Sequence, residues 1–309
     1  MLSTTSSQAY APDPRNADVK VYLNGEFVHR DAAKVSIFDA GFVCGDGVWE
    51  GLRLVQGRLV ALQAHLDRLF EGALSIDLDI GLTRTEVEKV LWDTLAINGM
   101  TDGAHLRLMV TRGRKSTPNQ DPRFIIGKAT VVCVAEYKVV DLEAKARGIS
   151  LFTSTYRCST PDVFDLRLNS HSRLNLIQAL LQALHAGADE ALMLDSRGFV
   201  ASCNSTNFFI VRKGELWTSS AHCCFNGITR QTLVSLAREN GIKVHEGEFT
   251  LAQVYSADEA FVTGTLAGMT PVKVVDGRPI GSGERTVSER LNALYQSHIC
   301  QPVAANRAP

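Results

Sequence analysis

No run of apolar residues in this 309-residue chain approaches the roughly 20 that a membrane-crossing helix needs. Neither sign of charge is in excess: 32 Lys and Arg stand against 33 Asp and Glu, for a formal charge of −1 at pH 7. That balance removes the usual physical reason for a nucleic acid or an anionic membrane to be a partner. The cysteines number seven, an odd count at irregular spacing, with no CxxC pair and no Cys/His cluster at zinc spacing. A disulfide framework is therefore set aside, no metal is expected, and reduced thiols in a cytoplasmic protein are the plain reading. Repeats and low-complexity tracts are missing too. The opening "MLSTTSSQAYAPDPRNAD" has no apolar core of the secretory kind. Residues 1–18 read as a flexible arm, or as one that packs across a partner subunit.

What is present is ordinary globular material: 45% hydrophobic and 21% charged residues, in a chain long enough for two modest cores. "VKVYLNGEFV" (19–28) alternates apolar and polar residues around Asn24-Gly25, a hairpin signal. "RLVALQAHLDRLFEGALSI" (58–76) reads as a strand running into a helix, with Leu62, Leu66, Leu69 and Phe70 at helical spacing. A second helix is predicted over "TRTEVEKVLWDTLAINGM" (83–100), with Thr83 or Thr85 as cap and Gly99 as stop. Two buried strands follow, "AHLRLMVTRG" and "ATVVCVAEYKVV". Around "KVVDLEAKARG" (138–148) the pattern thins. The second half opens with a strand, "ISLFTSTYR", then a helix over 172–187 with Leu174, Ile177, Leu180, Leu181 and Leu184 on one face and Gly187 as its stop. Short strands over 190–218, a helix over 227–241 and two more strands over 259–281 complete it. The expected partition is an arm (1–18), a smaller α/β domain (19–139), a linker (140–147), a larger domain (148–290) and a C-terminal helix end and tail (291–309). Strands and helices mix without strict βαβ alternation, so the fold class is α+β.

By "GFVCGDGVWEGLR" (41–53) the chain resembles the class IV aminotransferases, pyridoxal-phosphate enzymes of fold type IV whose members include branched-chain and D-amino-acid aminotransferases. The likeness runs from about 20 to 285, with "YLNGEFV", "GDGVWEG", "HLDRL", "RLMVTRG", "GADEALMLD", "NFFIV", "GITR", "ADEAFVTGT" and "TPV" in family order. It implies a two-domain fold, pyridoxal 5'-phosphate or its amine form as cofactor, an amino or keto acid as substrate, and a homodimer with the site between domains. Arg68 in "HLDRL" matches the family's phosphate-binding arginine, and its permanently charged fork suits a phosphate dianion. "GITR" opens a helix, where Ile228 and Thr229 can offer unpaired backbone N–H groups to an anion. Thr265 in "TGTLAG" matches a threonine that supplies a hydroxyl and a backbone donor. Singly, each has a bland alternative: a surface ion pair, an ordinary helix start, a strand-end turn.

The resemblance breaks at the reactive end. Where the family carries its Schiff-base lysine, in a motif like R-I-K-S-L-N-Y, this chain has Arg167-Leu168-Asn169-Ser170-His171-Ser172-Arg173. An amide nitrogen is delocalised; it neither forms an imine nor acts as a base near neutral pH. Ser202 stands where members place a glutamate against the pyridine nitrogen, and a hydroxyl holds that nitrogen cationic less well. Two losses together read as divergence of the site as a unit. Three routes then remain open. Another lysine, Lys115 or Lys138, reaches the cofactor; or the cofactor is held non-covalently, with His171 or a water near Asn169 moving protons; or the pocket serves another phosphorylated ligand or a silent subunit. For each lysine the plain alternative is a solvated side chain, and for His171 a core or capping role. On the substrate side, Cys44 and Trp49 occupy positions facing the substrate in relatives. Arg114 and Lys115, with Arg107 on the strand leading in, lie where relatives grip a carboxylate; a cationic loop is otherwise simply solvated.

Overall fold

The computed structural model describes residues 6–140 and 142–300. Two sheets dominate. The first is antiparallel and six-stranded, ordered Glu26–His29, Lys20–Leu23, Thr130–Tyr137, Ala104–Thr111, Gly47–Val55, Arg58–Leu59. Its edge hairpin turns at Asn24 (φ 50°) and Gly25 (φ 102°), the pair of left-handed residues that a tight hairpin turn demands. Helices Leu62–Ser75 and Arg84–Ile97 cover one face. Leu66, Leu69 and Leu91 there meet Leu52, Leu106 and Leu108 in a shared core. Thr83 begins the second of these helices with a reciprocal capping box to Glu86.

The second sheet has nine strands and is mixed. Ile149–Thr153 lies in its middle, parallel to both Glu190–Leu194 and Gly268–Val275. Strand Asn207–Arg212 is buried on both faces, which is why it reads as unbroken "NFFIV" rather than alternating. Phe208 and Ile210 enter one core, and Phe209 and Val211 the other. Helices Ile228–Glu239 and Thr286–Cys300 pack together over the latter face.

Three stretches gain detail from the structure. The apolar residues that share one face of helix Leu174–His185 are not its buried ones, which are Ala179 and Ala183. Leu174 is 68% exposed, Ile177 51% and Leu181 42%. Periodicity shows which residues share a face; it does not say what covers that face. The segment expected as linker contains helix Leu142–Arg147, which docks on the second sheet and whose Lys145 Nζ donates to the Ala267 carbonyl at 2.7 Å. The arm's residues 1–5 lie outside the described residues, as do 301–309 of the tail. The rest of the arm packs on its own chain: Tyr10–Ala11 pairs with Val139–Val140, and the Asn16 amide bonds the Tyr137 backbone in both directions at 2.8 Å.

Among the described residues no helix is long and apolar enough to cross a membrane, and no cluster of His, Cys, Asp or Glu could hold a metal. The halves are joined where segment 169–171 runs beside strand Gly47–Val55. Trp49 N donates to the Asn169 carbonyl at 2.9 Å and His171 N to the Gly47 carbonyl at 3.0 Å. A cavity of about 580 Å³ opens at this seam, within the range of ordinary small-molecule sites.

Candidate active site

Part of the cavity wall is formed by an arginine and the start of a helix. Arg68, on helix Leu62–Ser75, is fixed by Glu50 through two bonds, Nε to Oε1 and Nη2 to Oε2, each 2.7 Å. Glu50 is 1% exposed and also meets His65 Nδ1 at 2.6 Å. Burial alone would push its carboxyl up; the hydrogen bonds from Arg68 and His65 outweigh that and hold it below the usual range, ionised. Arg68 keeps its Nη1 toward Asn226, 3.5 Å from that carbonyl, and lies 4.3 Å over the Phe225 ring. Gly227 then opens helix Ile228–Glu239 with no side-chain cap. The amides of Ile228 and Thr229 therefore have no partner within the helix. Thr229 bonds the Tyr295 hydroxyl through its own side chain. Thr263 and Thr265 line the same cavity, and Thr263 Oγ1 is buried without a partner.

The rest of the wall adds cations and aromatic rings. Asn169 is 4% exposed and both ends of its amide are used: Nδ2 donates to the Trp49 carbonyl at 2.5 Å, and Oδ1 accepts from Arg173. Ser202 lines the cavity with its hydroxyl turned to the Thr206 carbonyl at 2.8 Å. Trp49 forms a wall, its Nε1 donating to the Ser170 carbonyl at 3.0 Å and its ring 3.6 Å from the Arg107 guanidinium. His171 also lines the cavity; its ring bonds the Val48 backbone and its Nε2 is buried and bare. Burial first, then the charges of Arg107 and Arg173, hold His171 below the usual histidine value, so it is neutral with an open lone pair. Nearby His105 is pulled down to about 3 by burial, with a further push from Lys138.

The residues expected on the cofactor side, Arg68, Asn169, Ser202, Ile228, Thr229 and Thr265, thus share one cavity with His171, Trp49 and Arg107. Cys44, Arg114 and Lys115 are not on its wall. Cys44 is exposed, 3.6 Å from the Asn119 carbonyl. Lys115 is 2% exposed and donates to the Asp121 carbonyl at 2.9 Å. Lys138 is the lysine on the wall among the described residues; its Nζ pairs with Glu136 at 3.2 Å and sits 4.8 Å from the Tyr10 ring. Several contributors escaped the sequence reading. Glu50 lay in plain view within "GDGVWEG", and Arg173 lay four residues beyond Asn169. Phe225, Gln8 and Tyr10 carried no signal, because only folding brings them to the cavity.

With this geometry in place, similarity to known proteins agrees with it. The family model described as amino-transferase class IV matches residues 47–275. The chain is 38% identical over 299 residues to branched-chain-amino-acid aminotransferase-like protein 2 of Arabidopsis thaliana, covering 96% of this chain and 53% of that protein. It therefore spans about half the length of that relative. To the branched-chain-amino-acid aminotransferase of Pseudomonas aeruginosa it is 35% identical over 287 residues, covering 90% of this chain and 92% of the other. A solved structure of a branched-chain amino acid aminotransferase with pyridoxamine 5'-phosphate matches with a TM-score of 0.85 at 30% identity, covering 91% of this chain and 94% of the other. A fold type IV architecture and a matched family model over most of the chain lead to one assignment: the chain belongs to the class IV aminotransferase family.

Proposed function

We propose that this chain binds pyridoxal 5'-phosphate, or its amine form, in the cavity and works on an amino or keto acid, by amino-group transfer or a related step. The observation that carries this is that Arg68, fixed by Glu50, reaches toward Asn226 beside the open start of helix Ile228–Glu239, in a cavity whose wall also includes Thr265. The residues fit a phosphate ester: a pre-oriented guanidinium, helix-start amides without partners in the helix and a bare Thr263 Oγ1 all belong to this cavity. When bound, the cofactor supplies an aldehyde that condenses with amines and a ring that accepts electrons.

The remaining residues set how the reaction differs from the family pattern. Asn169 offers no nucleophile, and its amide is already engaged. Covalent attachment at 169 is therefore replaced by non-covalent retention through the phosphate end. His171, neutral and with Nε2 free, is the group suited to accept a proton from the substrate. Trp49 and Arg107 wall the acid's side. A second reading, a catalytically silent or repurposed phosphate-ligand-binding homologue, is favoured by one observation: Lys138, the lysine on the wall among the described residues, is tied to Glu136.

One measurement separates the two. The purified protein is mixed with pyridoxal phosphate, its absorption recorded, and the sample reduced with borohydride and peptide-mapped. Bound aldehyde with no modified peptide, followed by spectral change on adding an amino acid, is the expected result. A tag on Lys138 supports a relocated attachment instead. No binding of pyridoxal phosphate removes the proposal, and binding without any response to amino acids favours the silent homologue.

The same reading makes the protein a cytoplasmic homodimer of two-domain subunits, 19–139 and 148–290. Its support is the uncovered apolar face of Leu174, Ile177 and Leu181, with Phe42 75% exposed elsewhere. Sedimentation velocity showing only monomer would remove the dimer.

A further inference from the structure

Guanidinium and aromatic groups alternate through the cavity. Arg68 lies over Phe225, Arg173 is 5.7 Å from that ring and 5.3 Å from Trp49, and Arg107 is 3.6 Å from Trp49. Their electrical situations differ. Arg68 has Glu50. Among the described residues, Arg107 and Arg173 have no carboxylate partner, and the hydrogen bonds of Arg173 go to neutral oxygens. Its Nε donates to the Ser170 carbonyl at 2.9 Å and its Nη2 to Asn169 Oδ1. Asn169 cannot drift, because its Nδ2 is held by the Trp49 carbonyl and its backbone oxygen by Trp49 N. The residue at the lysine position is therefore a seat for a cation four positions further on. Loss of hydration, with repulsion from Arg107 and Arg68, brings Arg173 down to about 10, so it is still charged at neutral pH.

Arg173 is half-buried and has no counter-charge among the described residues, a costly state unless an anion completes it, and Arg107 stands exposed on the same cavity wall. The cationic loop does not compete for that role. Arg112 is bound to Asp46 and to the Ile76 and Asp77 carbonyls, and Arg123 to Asp121. We propose that Arg173, seated by Asn169, is a specificity-determining residue that together with Arg107 grips a carboxylate of the amino or keto acid. The proposal rests on the acid-ligand part of the function above and not on the cofactor part. It also gives Asn169 a role: a short neutral amide can hold a guanidinium where a lysine ammonium would repel it.

The test is calorimetric titration of two keto acids, 2-oxoglutarate with two carboxylates and 4-methyl-2-oxopentanoate with one, alongside pyridoxal phosphate. Wild type, Arg173→Leu, Arg173→Lys and Asn169→Ala are compared, with melting temperatures to confirm folding. Arg173→Leu is expected to weaken at least one acid by about 10- to 100-fold and to leave pyridoxal phosphate within about twofold, because Arg68 serves the phosphate. Arg173→Lys retains part of the affinity through charge alone, and Asn169→Ala loses part of it through a misplaced fork. Equal losses for both acids assign the carboxylate they share; a loss confined to 2-oxoglutarate assigns the second one. The proposal is overturned if folded Arg173→Leu and Arg173→Lys bind both acids as wild type does, if only pyridoxal phosphate binding changes, or if wild type binds neither acid. Acid binding through Arg173 without pyridoxal phosphate binding would instead defeat the cofactor reading and leave this one standing.

Discussion

Glu50 is the residue on which the anion end turns, since one buried carboxylate orients Arg68 and meets His65. Glu50→Gln removes the charge while keeping the shape, leaving Arg68 without its counter-ion and His65 without its carboxylate partner. A loss of about 3–5 kcal/mol is expected, read as a lower urea midpoint, together with weaker pyridoxal phosphate binding. A second consequence at this scale is acid sensitivity. Burial holds His105 near 3 and His171 below the usual 6.5, so both are neutral in the fold. For a depressed folded pKa the stabilisation is present above the unfolded value and is lost as pH falls toward the folded one. The urea midpoint should therefore be level above pH 7 and decline from about 6.5 downward. His105→Asn should decline less steeply over pH 6.5–4.5, above the window in which carboxylates add their own term; equal slopes would show that His105 does not set it. Residue types were legible here: Asn169 and Ser202 stood out as departures. Their engagement was not, because the Trp49 carbonyl that binds Asn169 is 120 positions away in the chain.

At the scale of elements, helix starts do different jobs. Thr83 closes its helix with a capping box, whereas Gly227 leaves its helix open. A Cβ at 227 would come 2.3 Å from Asn207 Oδ1, an amide already held through the Phe225 carbonyl at 2.6 Å. Gly227→Ala should thus shift the helix start and lower pyridoxal phosphate affinity about tenfold or more, if each charge-assisted bond lost is worth about 1.5–3 kcal/mol. Thr83→Ala serves as the control: about 1 kcal/mol lower stability with the same ligand affinity. Equal ligand affinity in both variants would show that the helix start is not part of the cradle. Hairpin 20–29 and helices 62–75 and 84–97 were legible because local patterns and caps decide them. The orientation of helix Leu174–His185 was not, because Leu174, Ile177 and Leu181 are spaced as a shared apolar face yet are exposed.

On the scale of the molecule, the N-terminal segment closes over the larger sheet. Ser7 donates to Glu190 Oε1 from its backbone at 2.8 Å and its hydroxyl at 2.5 Å, while Thr206 holds the other carboxylate oxygen at 3.2 Å. Glu190 is buried, and burial pushes its carboxyl up, so each donor lost there is felt. Gln8 and Tyr10, which follow Ser7, form part of the cavity wall. Ser7→Ala is expected to lower stability by about 1–3 kcal/mol and to speed proteolytic cleavage before residue 12. Unchanged cleavage would mean that the Ser7–Glu190 contact does not hold the segment down.

The sequence by itself determined the family and the fold class, because residue identity and the order of short motifs are properties of the chain. Only the tertiary structure decided which cations face the cavity. Arg114 and Lys115 stand away from it, while Arg173 lies between Trp49 and Phe225. The reason is geometric: whether a charged side chain meets a ligand, a carboxylate or solvent depends on neighbours more than a hundred residues distant, and no local pattern encodes them.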